Sequence, residues 1–514
     1  MRHRWLAAAL VAAWAGAPCT SHAQRSADTL RVAWRDAITR IDPYDDPSLG
    51  SFVIAHQVFD TLVYRDPKTF RIVPLLATAW NWQDDRTLVF TLRQGVLWQD
   101  GNPVTAADVA GTINWVASNP NLANSPIYDW IAGADILDPA HVRVRLSRTM
   151  PAALEYFAMA LWILPEGLRE RIGADTFARA PIGSGPYRVV PLDGSGDVTL
   201  ERFAGYFAGS PKGEPSIARI RFRSIPDPTA QLAALLSGDA DWTWRFDPAG
   251  FTAIERHPAL VGVEGGSLRL AYLSLDAAGR SGPANPLTKL RVRQAIEAAL
   301  DRSALAGDFG PPGAAAPAAP CLPAQFGCDV KEAVTMPYDP ERARALLREA
   351  GFPDGFSLQI TTAAPAPWSA AVQSYLRAVG INAEIIQLPQ GEVTLRAIQG
   401  ENRAELGDWG SYAVNDVSAI LPHFFGFTSE DYTRDPELRD LIADADATRD
   451  PARRLSDYAR SIRIITANAD WLPLWSVPVP YGFTKDLDFT PDPDGVPRFF
   501  TARWKGREAA GVEQ

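Results

Sequence analysis

Apolar and polar residues alternate along several short segments of the first half of the chain, and longer segments between them repeat apolar residues at helical spacing. Alternation is typical of half-buried strands, because successive side chains of a strand point to opposite faces of its sheet. A helix is expected after Thr105, a good N-cap residue, and another from Thr229 to Gly238. The predicted strands are Thr29 to Trp34, His141 to Ser147, Asp197 to Phe203 and Ala218 to Ile225.

The pattern changes after Gly265 and Gly266. The segment "LRLAYLSLD" has the pattern of a strand, and "LRVRQAIEAALDRSAL" has that of a strongly amphipathic helix. Farther on, "AVQSYLRAVG" followed by "INAEIIQL" predicts a helix and then a strand, which together form an α/β crossover unit. A chain of 514 residues is too long for one ordinary domain. We therefore expect two α/β lobes, linked by strands near residues 266 and 478.

The N-terminus has the pattern of a secretory signal peptide over residues 1–23. Arg2 and Arg4 supply positive charge, residues 5–17 form an apolar run, and Ser21-His22-Ala23 offers a cleavage pattern before Gln24. The run is too short to cross a membrane, so we expect an exported, soluble protein. Lipidation at Cys19 is the alternative, although Pro18 stands where a lipoprotein site has a small residue.

The two remaining cysteines, Cys321 and Cys328, lie close together in "PAAPCLPAQFGCDV". In an oxidising compartment we expect them to form a disulfide that holds a surface loop together. The alternative is a pair of free thiols. Neither their spacing nor the positions of the histidines match a zinc site.

Charge and motifs exclude several classes of function. The formal net charge of -10 gives no indication of a nucleic-acid partner. The chain contains neither G-x-S-x-G nor H-E-x-x-H, so the sequence does not indicate an enzyme. "GSGPY" is not followed by a helix that could help to hold a phosphate, so we predict no nucleotide and no other cofactor.

Six segments, in this order, resemble one protein family, the extracellular solute-binding proteins of ABC importers in the dipeptide, oligopeptide and nickel group. Each motif alone is weak, but the resemblance covers essentially the whole mature chain. The segments are "IDPYDDPSLGSFVIAHQVFDTLVYRD", "PLLATAWNWQDDRTLVFTLRQGVLWQDGNPVTAADV", "PIGSGPYRV", "LRVRQAIEAALDRSAL", "YDPERARALLREAGF" and "LRAVGINAEI".

The resemblance implies the two-lobed clamshell of the class II periplasmic binding proteins, in its large form with an extra subdomain in the first lobe. Lobe I would span residues 24–266 with that subdomain at about 60–180, lobe II residues 267–477, and residues 478–514 would return to lobe I and end in a tail. It also implies a monomer in the periplasm that captures a small organic solute, a peptide in most of the family, and delivers it to a membrane permease.

The segment "LGDWGSYAVNDVSAILPHFF", Leu406 to Phe425, is the first candidate for the binding site. Peptide-binding relatives have an acidic residue three positions after its tryptophan, which captures the amino terminus of the peptide. Tyr412 stands there, and Leu406 stands where oligopeptide-binding relatives have an arginine. A neutral phenol cannot pair with an ammonium group as a carboxylate does, so the case for a peptide is weakened, unless Asp408 or Asp416 substitutes in another register.

We expect Trp409 and Tyr412 to form part of the wall of the ligand site, with packing within the lobe as the alternative. Asn415 and Asp416 are further candidates, and they also match an N-cap for the helix that follows. His423 suggests nickel, but a single histidine is a poor site for a transition metal, so we predict no metal site.

Other aromatic residues are candidates for ligand contact, with packing in the core as the alternative for each. Trp242 and Trp244 alternate on a predicted strand near the lobe junction and so share a face, with Arg245 directed the other way. Aromatic rings in a cleft favour sugars, aromatic acids or apolar side chains. The remaining candidates are Tyr128, Trp368 and Tyr481. An opine, an oligosaccharide or an aromatic acid, and a sensory accessory role, remain alternatives to peptide import.

Overall fold

The computed structural model describes residues 28–46, 48–123, 125–411 and 413–506. Its strands are β1 Thr29–Trp34, β2 Val63–Arg65, β3 Ile72–Pro74, β4 Ala77–Asp84, β5 Thr87–Leu92, β6 Ile131–Asp138, β7 His141–Leu146, β8 Tyr187–Val189, β9 Val198–Arg202, β10 Arg219–Ser224, β11 Trp242–Trp244, β12 Leu260–Gly265, β13 Arg269–Leu275, β14 Phe356–Thr362, β15 Ile381–Gln387, β16 Ala404–Gly410, β17 Trp471–Ser476, β18 Val479–Thr484, β19 Leu487–Asp488 and β20 Arg503–Trp504.

The helices occur between these strands along the whole chain, which confirms the mixed α/β pattern. They are α1 Leu49–Val58, α2 Ala106–Ser118, α3 Pro120–Ala123, α4 Ala153–Met159, α5 Leu168–Ile172, α6 Ala174–Arg179, α7 Pro228–Ser237, α8 Pro248–Arg256, α9 Leu290–Ala299, α10 Arg302–Phe309, α11 Pro340–Glu349, α12 Ala366–Ala378, α13 Gln390–Gln399, α14 Leu421–Phe425, α15 Pro436–Asp446 and α16 Pro451–Ala467.

A seven-stranded sheet, in the order β12-β18-β11-β1-β10-β9-β8, lies at the centre of the first lobe. β1 is parallel to both β10 and β11, which lie on either side of it, and the outer strands run antiparallel. Leu30, Val32 and Trp34 alternate on one face of β1 and are almost fully buried. The period-2 pattern of this strand therefore follows from one apolar face packed against the core.

A second, five-stranded sheet has the order β15-β14-β16-β13-β17 and separates two apolar cores. β14 is parallel to β15 and β16, while β13 is antiparallel to β16 and β17. Leu406, which stands where some relatives have an arginine, is fully buried in the core on one face. Leu270 and Tyr272 belong to the core on the other face.

A four-stranded antiparallel sheet, β4-β5-β7-β6, lies within the segment predicted as the inserted subdomain. Helix α2 packs against β6, and it begins as expected after Thr105, whose backbone N–H donates to the Asp108 carboxylate at 2.7 Å. The buried side chains of this sheet are continuous with those of the seven-stranded sheet. Because the two sheets share one core, a separate subdomain at about residues 60–180 stays a proposal.

The chain passes between the two large sheets twice, from β12 to β13 and from β17 to β18. The two connections touch, since the Ser267 hydroxyl donates to the carbonyl of Val477. A Cβ atom on Gly266 would lie 2.4 Å from the carbonyl oxygen of Pro493, so no larger residue fits there. We propose that these connections are the hinge, with lobe boundaries at residues 266 and 477.

The predicted disulfide is confirmed, since Cys321 and Cys328 are joined with their Cα atoms 5.8 Å apart. The alternative of two free thiols is therefore wrong. The signal peptide, Cys19, Tyr412 and the last residues of the tail lie outside the described residues. In the described part of the chain, no helix has the length and apolar character that crossing a membrane requires.

Candidate functional site

Two arginines follow the carboxyl ends of neighbouring parallel strands in the seven-stranded sheet. The parallel strands β1 and β11 end at Trp34 and Trp244, and the next residues, Arg35 and Arg245, are both exposed. The crossover from β10 through α7 to β11 passes β1, so β1 has a parallel neighbour on each side. In open α/β sheets, ligands bind beyond the carboxyl ends of strands at such a switch point.

The backbone of Arg245 is in the left-handed region, with φ of 61°. A non-glycine residue rarely adopts this conformation, and such positions are concentrated at functional sites. Its N–H donates to the carbonyl of Pro480 at 2.7 Å, and its guanidinium lies over the ring of Trp244, 4.9 Å from the centroid. The expectation that Arg245 is directed away from the tryptophans is wrong, because the left-handed residue ends the alternation of the strand.

Aromatic side chains form a layer behind these arginines. Trp244 lies opposite Tyr481 in the register of β11 and β18, with ring centroids 5.8 Å apart, and its ring is 5.0 Å from that of Trp34. Trp242 packs on the same cluster, and both Trp242 and Tyr481 are fully buried. The hydroxyl of Tyr481 has no hydrogen-bond partner among the described residues. Of these candidates, Trp242 therefore packs in the core.

The corresponding edge of the five-stranded sheet carries a pair of opposite charges and an aromatic ring. Arg269, the first residue of β13, donates from Nε to the Asp408 carboxylate at 3.0 Å. Trp409, next along β16, is half-buried, and its ring lies 5.9 Å from that of His423 and 6.1 Å from that of Phe424. One part of this tryptophan is thus held by α14 while another remains accessible.

The two sheet edges lie within electrostatic reach of each other. Burial lowers the pKa of Arg245, and the nearby guanidinium groups of Arg269 and Arg35 lower it further, while Tyr481 and Asp408 act in the opposite direction. Arg269 and Asp408 belong to the second sheet, whereas Arg35 and Tyr481 belong to the first. The backbone N–H of Arg245 donates to the carbonyl of Pro480, and the carbonyl of Arg269 accepts from the N–H of Val477, so both arginines lie beside the connection from β17 to β18. We call the region around Arg35, Arg245, Arg269 and Asp408 the arginine crevice.

The loop that carries Tyr412 is attached to the first lobe. The carbonyl of Ala413, a residue with φ of 62°, accepts a hydrogen bond from Arg65, and Ala413 and Val414 pack in the core of that lobe. The N–H of Asn415 donates to Oε2 of Glu155 at 3.1 Å, and the same oxygen lies 2.8 Å from Nη1 of Arg65. We call these contacts, made by Arg65 and Glu155 to the loop, the interlobe clasp.

The carboxylate of Asp416 is bonded to other groups of the protein. Its carboxylate caps a short 3-10 turn by accepting from the N–H of Ser418 at 2.9 Å, and both its oxygens lie 2.9 Å from Nη2 of Arg454. The N-cap interpretation is therefore confirmed. The side-chain oxygen of Asn415, by contrast, is buried and has no hydrogen-bond partner in the described residues, so Asn415 stays a candidate for ligand contact.

Two other predicted residues lie in separate surroundings. Tyr128 is 7% exposed, and its hydroxyl donates to the carbonyl of Ala160 at 2.9 Å. Trp368 lies in the first turn of α12, close after the carboxyl end of β14, and contacts the ring of Trp475 edge-on at 4.8 Å. Trp368 is half-buried and lies on the same sheet edge as Trp409. It remains a candidate, whereas the hydroxyl of Tyr128 is already satisfied.

A cluster of buried charges lies below the interlobe clasp. Asp494 is bonded to Arg65 and, at 2.7 Å, to Nη2 of Arg498, and all three side chains are essentially inaccessible to solvent. These guanidinium groups hold the pKa of Asp494 far below its usual value, against the effect of burial. No feature of the sequence identified this cluster, because Arg65 lies more than 400 positions before Asp494 along the chain.

Metal-binding geometry is not found in the described ranges, which contain no cluster of three or more His, Cys, Asp or Glu side chains suited to an ion. His423 contacts the Glu430 carboxylate at 3.5 Å and the ring of Trp409. Two surface depressions, one beside β9 and β10 and one beside β5 and β7, contain none of the predicted site residues.

Comparison with known proteins identifies relatives over nearly the whole chain. The glutathione-binding protein GsiB of Salmonella typhi is 29% identical over 495 residues, covering 92% of this chain and 93% of its own. HbpA2 of Haemophilus parasuis has a TM-score of 0.81 at 22% identity, covering 93% of this chain and 100% of its own.

Several of the similar solved structures contain bound ligands. The ABC transporter-associated periplasmic binding protein DppA of Helicobacter pylori, in complex with the peptide STSA, has a TM-score of 0.76 at 21% identity and covers 93% of this chain and 98% of its own. MoaA of A. tumefaciens R10, in complex with mannopinic acid, has a TM-score of 0.74 at 21% identity and covers 93% and 99%. These likenesses show that the fold is the two-lobed fold of periplasmic binding proteins.

The family itself follows from the sequence of the central region. The description "bacterial extracellular solute-binding proteins, family 5 (middle)" matches residues 71–431, which are more than half of the chain. The match includes most of both lobes and residues 409–416, among which are Trp409 and Tyr412, the residues predicted for the ligand wall. The chain therefore belongs to the bacterial extracellular solute-binding proteins of family 5.

Proposed function

We propose that the protein is the periplasmic solute-binding component of an ABC importer. It captures a small organic solute between its lobes and delivers it to a permease in the inner membrane. The observation that carries this proposal is the arginine crevice, in which residues from the edges of both sheets approach one another. Family membership supports the same conclusion, and it argues for binding without catalysis.

Binding and closure are coupled in such a site. A solute that contacts Arg245 of one lobe and Trp409 of the other stabilises the closed form by the difference between its contacts in the closed and open forms. A micromolar affinity corresponds to about 8 kcal/mol, which a buried solute with aromatic and charged contacts can supply. The ligand residues that we propose are Trp409, Tyr412, Asn415 and Trp368. Burial favours structural roles for the other candidates, which are Asp416, Tyr128, Trp242, Trp244 and Tyr481.

A peptide is the first candidate for the solute. A relative named for glutathione and a structural neighbour solved with a tetrapeptide support this choice. Tyr412 and the buried Leu406 argue that a peptide would not be anchored here by the charged groups that other relatives use.

A non-peptide solute is the second candidate, supported by a neighbour of the same fold that binds mannopinic acid. An opine, an oligosaccharide or an aromatic acid could each be held by the accessible tryptophans. A sensory accessory role is a further alternative, and an adjacent sensor-kinase gene in place of permease and ATPase genes would favour it.

Localisation follows from the N-terminal pattern. We propose cleavage after Ala23, release of a soluble monomer into the periplasm, and no lipid at Cys19. N-terminal sequencing and intact mass measurement of protein from a periplasmic extract test this. A mature chain beginning at Gln24 supports it, and a lipid-modified cysteine contradicts it.

The decisive experiment for the function is mass spectrometry of the solute released when freshly purified periplasmic protein is denatured. We expect one small organic solute in near-stoichiometric amount, which on addition to the emptied protein raises its melting temperature. If the protein instead converts the solute to a product, the proposed binding role is wrong and the protein is an enzyme.

A further inference from the structure

The charges of the arginine crevice are unbalanced. Arg35, Arg245 and Arg269 contribute three guanidinium groups, whereas Asp408 is the one carboxylate among the groups that act most strongly on Arg245. That carboxylate is already bonded to Arg269. In the part of the chain that the structure describes, neither Arg35 nor Arg245 makes a side-chain hydrogen bond or an ion pair, so the crevice has excess positive charge.

Arg245 is held in position rather than free on the surface. Its left-handed backbone is fixed by the hydrogen bond to Pro480, and its guanidinium is stacked on Trp244. Stacking occupies the face of the guanidinium and leaves its five N–H groups directed outward in the plane of the group. This geometry is suited to a planar, bidentate acceptor such as a carboxylate.

The three guanidinium groups give the arrangement a preference for an anion. The exposed guanidinium of Arg245 lies near two like charges, and an anion bonded to it offsets their repulsion. Nothing in the arrangement favours a cationic or neutral solute at this position.

We propose that the solute of this protein is an acid whose carboxylate is bound by the guanidinium of Arg245, with Arg35 and Arg269 attracting it to the crevice. This inference rests on the proposed function, since it assigns a chemical class to the solute of the same cleft. It also gives the specificity a physical basis. An ester or amide of the same acid cannot form the charge-assisted pair, and it leaves the arginine partly dehydrated and unpaired.

The test compares each acid with a derivative in which carboxylate charge is removed. Thermal shift and calorimetric titration of the full mature protein are measured with glutathione and its diethyl ester, mannopinic acid and its methyl ester, succinate and succinamide, and Met-Leu and its amide. A library of neutral sugars and of amines is measured in parallel. We expect binding by at least one acid, with its ester or amide weaker by roughly 100-fold.

Substitutions then locate the contact. Arg245→Asn removes the charge and suits the left-handed backbone, because asparagine tolerates that conformation better than most residues. Arg245→Lys keeps the charge but loses the planar fork. The matched control is Arg256→Asn, which removes one exposed arginine at the end of α8. We expect roughly 100-fold weaker binding of the acid by Arg245→Asn, a smaller loss for Arg245→Lys, and none for the control.

Each outcome decides between the two proposals. If an ester, amide, sugar or amine binds as tightly as any acid, or if no acid binds but a member of the library does, the acid inference is wrong and the solute-binding function stands. If an acid binds but Arg245→Asn, with an unchanged melting temperature when empty, binds it equally well, the assignment to Arg245 is wrong. If no compound binds and no solute is released from native protein, both proposals fall.

Discussion

Trp409 shows at the scale of one residue how a side chain can serve both packing and binding. Its ring lies against His423 and Phe424, which holds it in one orientation, yet it is only partly buried at the end of β16. A ring held in this way can contact a solute without losing much side-chain entropy on binding.

Replacing Trp409 by alanine should therefore weaken solute binding by roughly 10- to 100-fold, the usual range for an aromatic residue that contributes strongly to an interface. The melting temperature of the empty protein should change little, because the ring is not in a closed core. Calorimetric titration with the solute recovered from native protein measures the first effect. The control is Trp242→Ala, which empties a fully buried position and should cost about 3–5 kcal/mol of stability. An unchanged affinity in Trp409→Ala would remove this residue from the site.

We propose that Tyr412 prevents simple peptides from being bound. A neutral phenol cannot balance the ammonium group of a peptide, so free dipeptides such as Met-Leu should give no thermal shift with the wild-type protein. Tyr412→Asp places a carboxylate at that position and should produce a shift, and Tyr412→Asn, which adds no charge, is the control. A strong shift of the wild-type protein with unmodified dipeptides would show that the alignment of this segment with peptide-binding relatives is wrong.

At the scale of secondary-structure elements, the site depends on where parallel strands end. Arg35 and Arg245 are neighbours because β1 and β11 run side by side in the same direction, although they are more than 200 residues apart. The ends of β14 and β16 place Trp368 and Trp409 on one edge of the second sheet in the same way. Reading the residue that follows each predicted parallel strand would have found both arginines from the sequence.

Helix α9 carries a carboxyl group that makes stability depend on pH. Glu297 accepts a hydrogen bond from the N–H of Met336 at 3.1 Å, and burial raises its pKa to about 7, above the ordinary value of 4.5. The folded protein thus keeps a proton that the unfolded chain releases between these values. The contribution of Glu297 to the free energy of unfolding is therefore highest at low pH and falls as pH rises from 4.5 toward 7.

Glu297→Gln keeps an acceptor for Met336 and has no charge, so it should remove this dependence. We expect the variant to be more stable than wild type at pH 8 by up to roughly 3 kcal/mol, and to differ little from it at pH 5. Urea denaturation at the two pH values measures this. The control is Glu349→Gln, on the exposed end of α11. An equal difference between Glu297→Gln and wild type at both pH values would contradict the assignment.

For the whole molecule, the interlobe clasp is a contact that can hold the two lobes together. The interlobe clasp joins the backbone of residues 413–415 to Arg65 and Glu155, beside the loop that carries Tyr412. Arg65 is in turn fixed by Asp494 in the buried charge cluster. Such clusters are costly to desolvate and are stable only when every member is paired, so the cluster provides a rigid support for the clasp.

Glu155→Gln should weaken closure while leaving each lobe folded. The glutamine oxygen can still accept from Asn415, but the charge-assisted bond to Arg65 is lost. If the closed form becomes ten times less populated, the apparent affinity for solute falls by about the same factor. Small-angle scattering should show a larger radius of gyration for the empty variant. The control is Glu166→Gln, an exposed glutamate whose backbone N–H is bonded to Asp108. Equal affinity and equal dimensions in Glu155→Gln and wild type would show that the clasp does not govern closure.

Local sequence patterns predicted much of the architecture. Alternation in β1 and β7, the N-cap at Thr105 and the cap at Asp416 all agree with the structure, because each depends on neighbours within a few residues. The disulfide between Cys321 and Cys328 is also local. The direction of Arg245 was predicted wrongly, since period-2 alternation assumes that the strand continues, and the left-handed backbone at that residue ends it.

Six ordered motifs, an N-terminal export pattern and alternating strand and helix patterns were enough to indicate a two-lobed solute-binding protein. Which charged and aromatic side chains come together at the sheet edges depends on the tertiary structure. Arg35, Arg245, Arg269 and Asp408 come from four distant segments, and their proximity depends on strand order, crossover direction and the approach of two lobes. A ligand site is an arrangement in space, so its charge balance emerges only when these segments pack together.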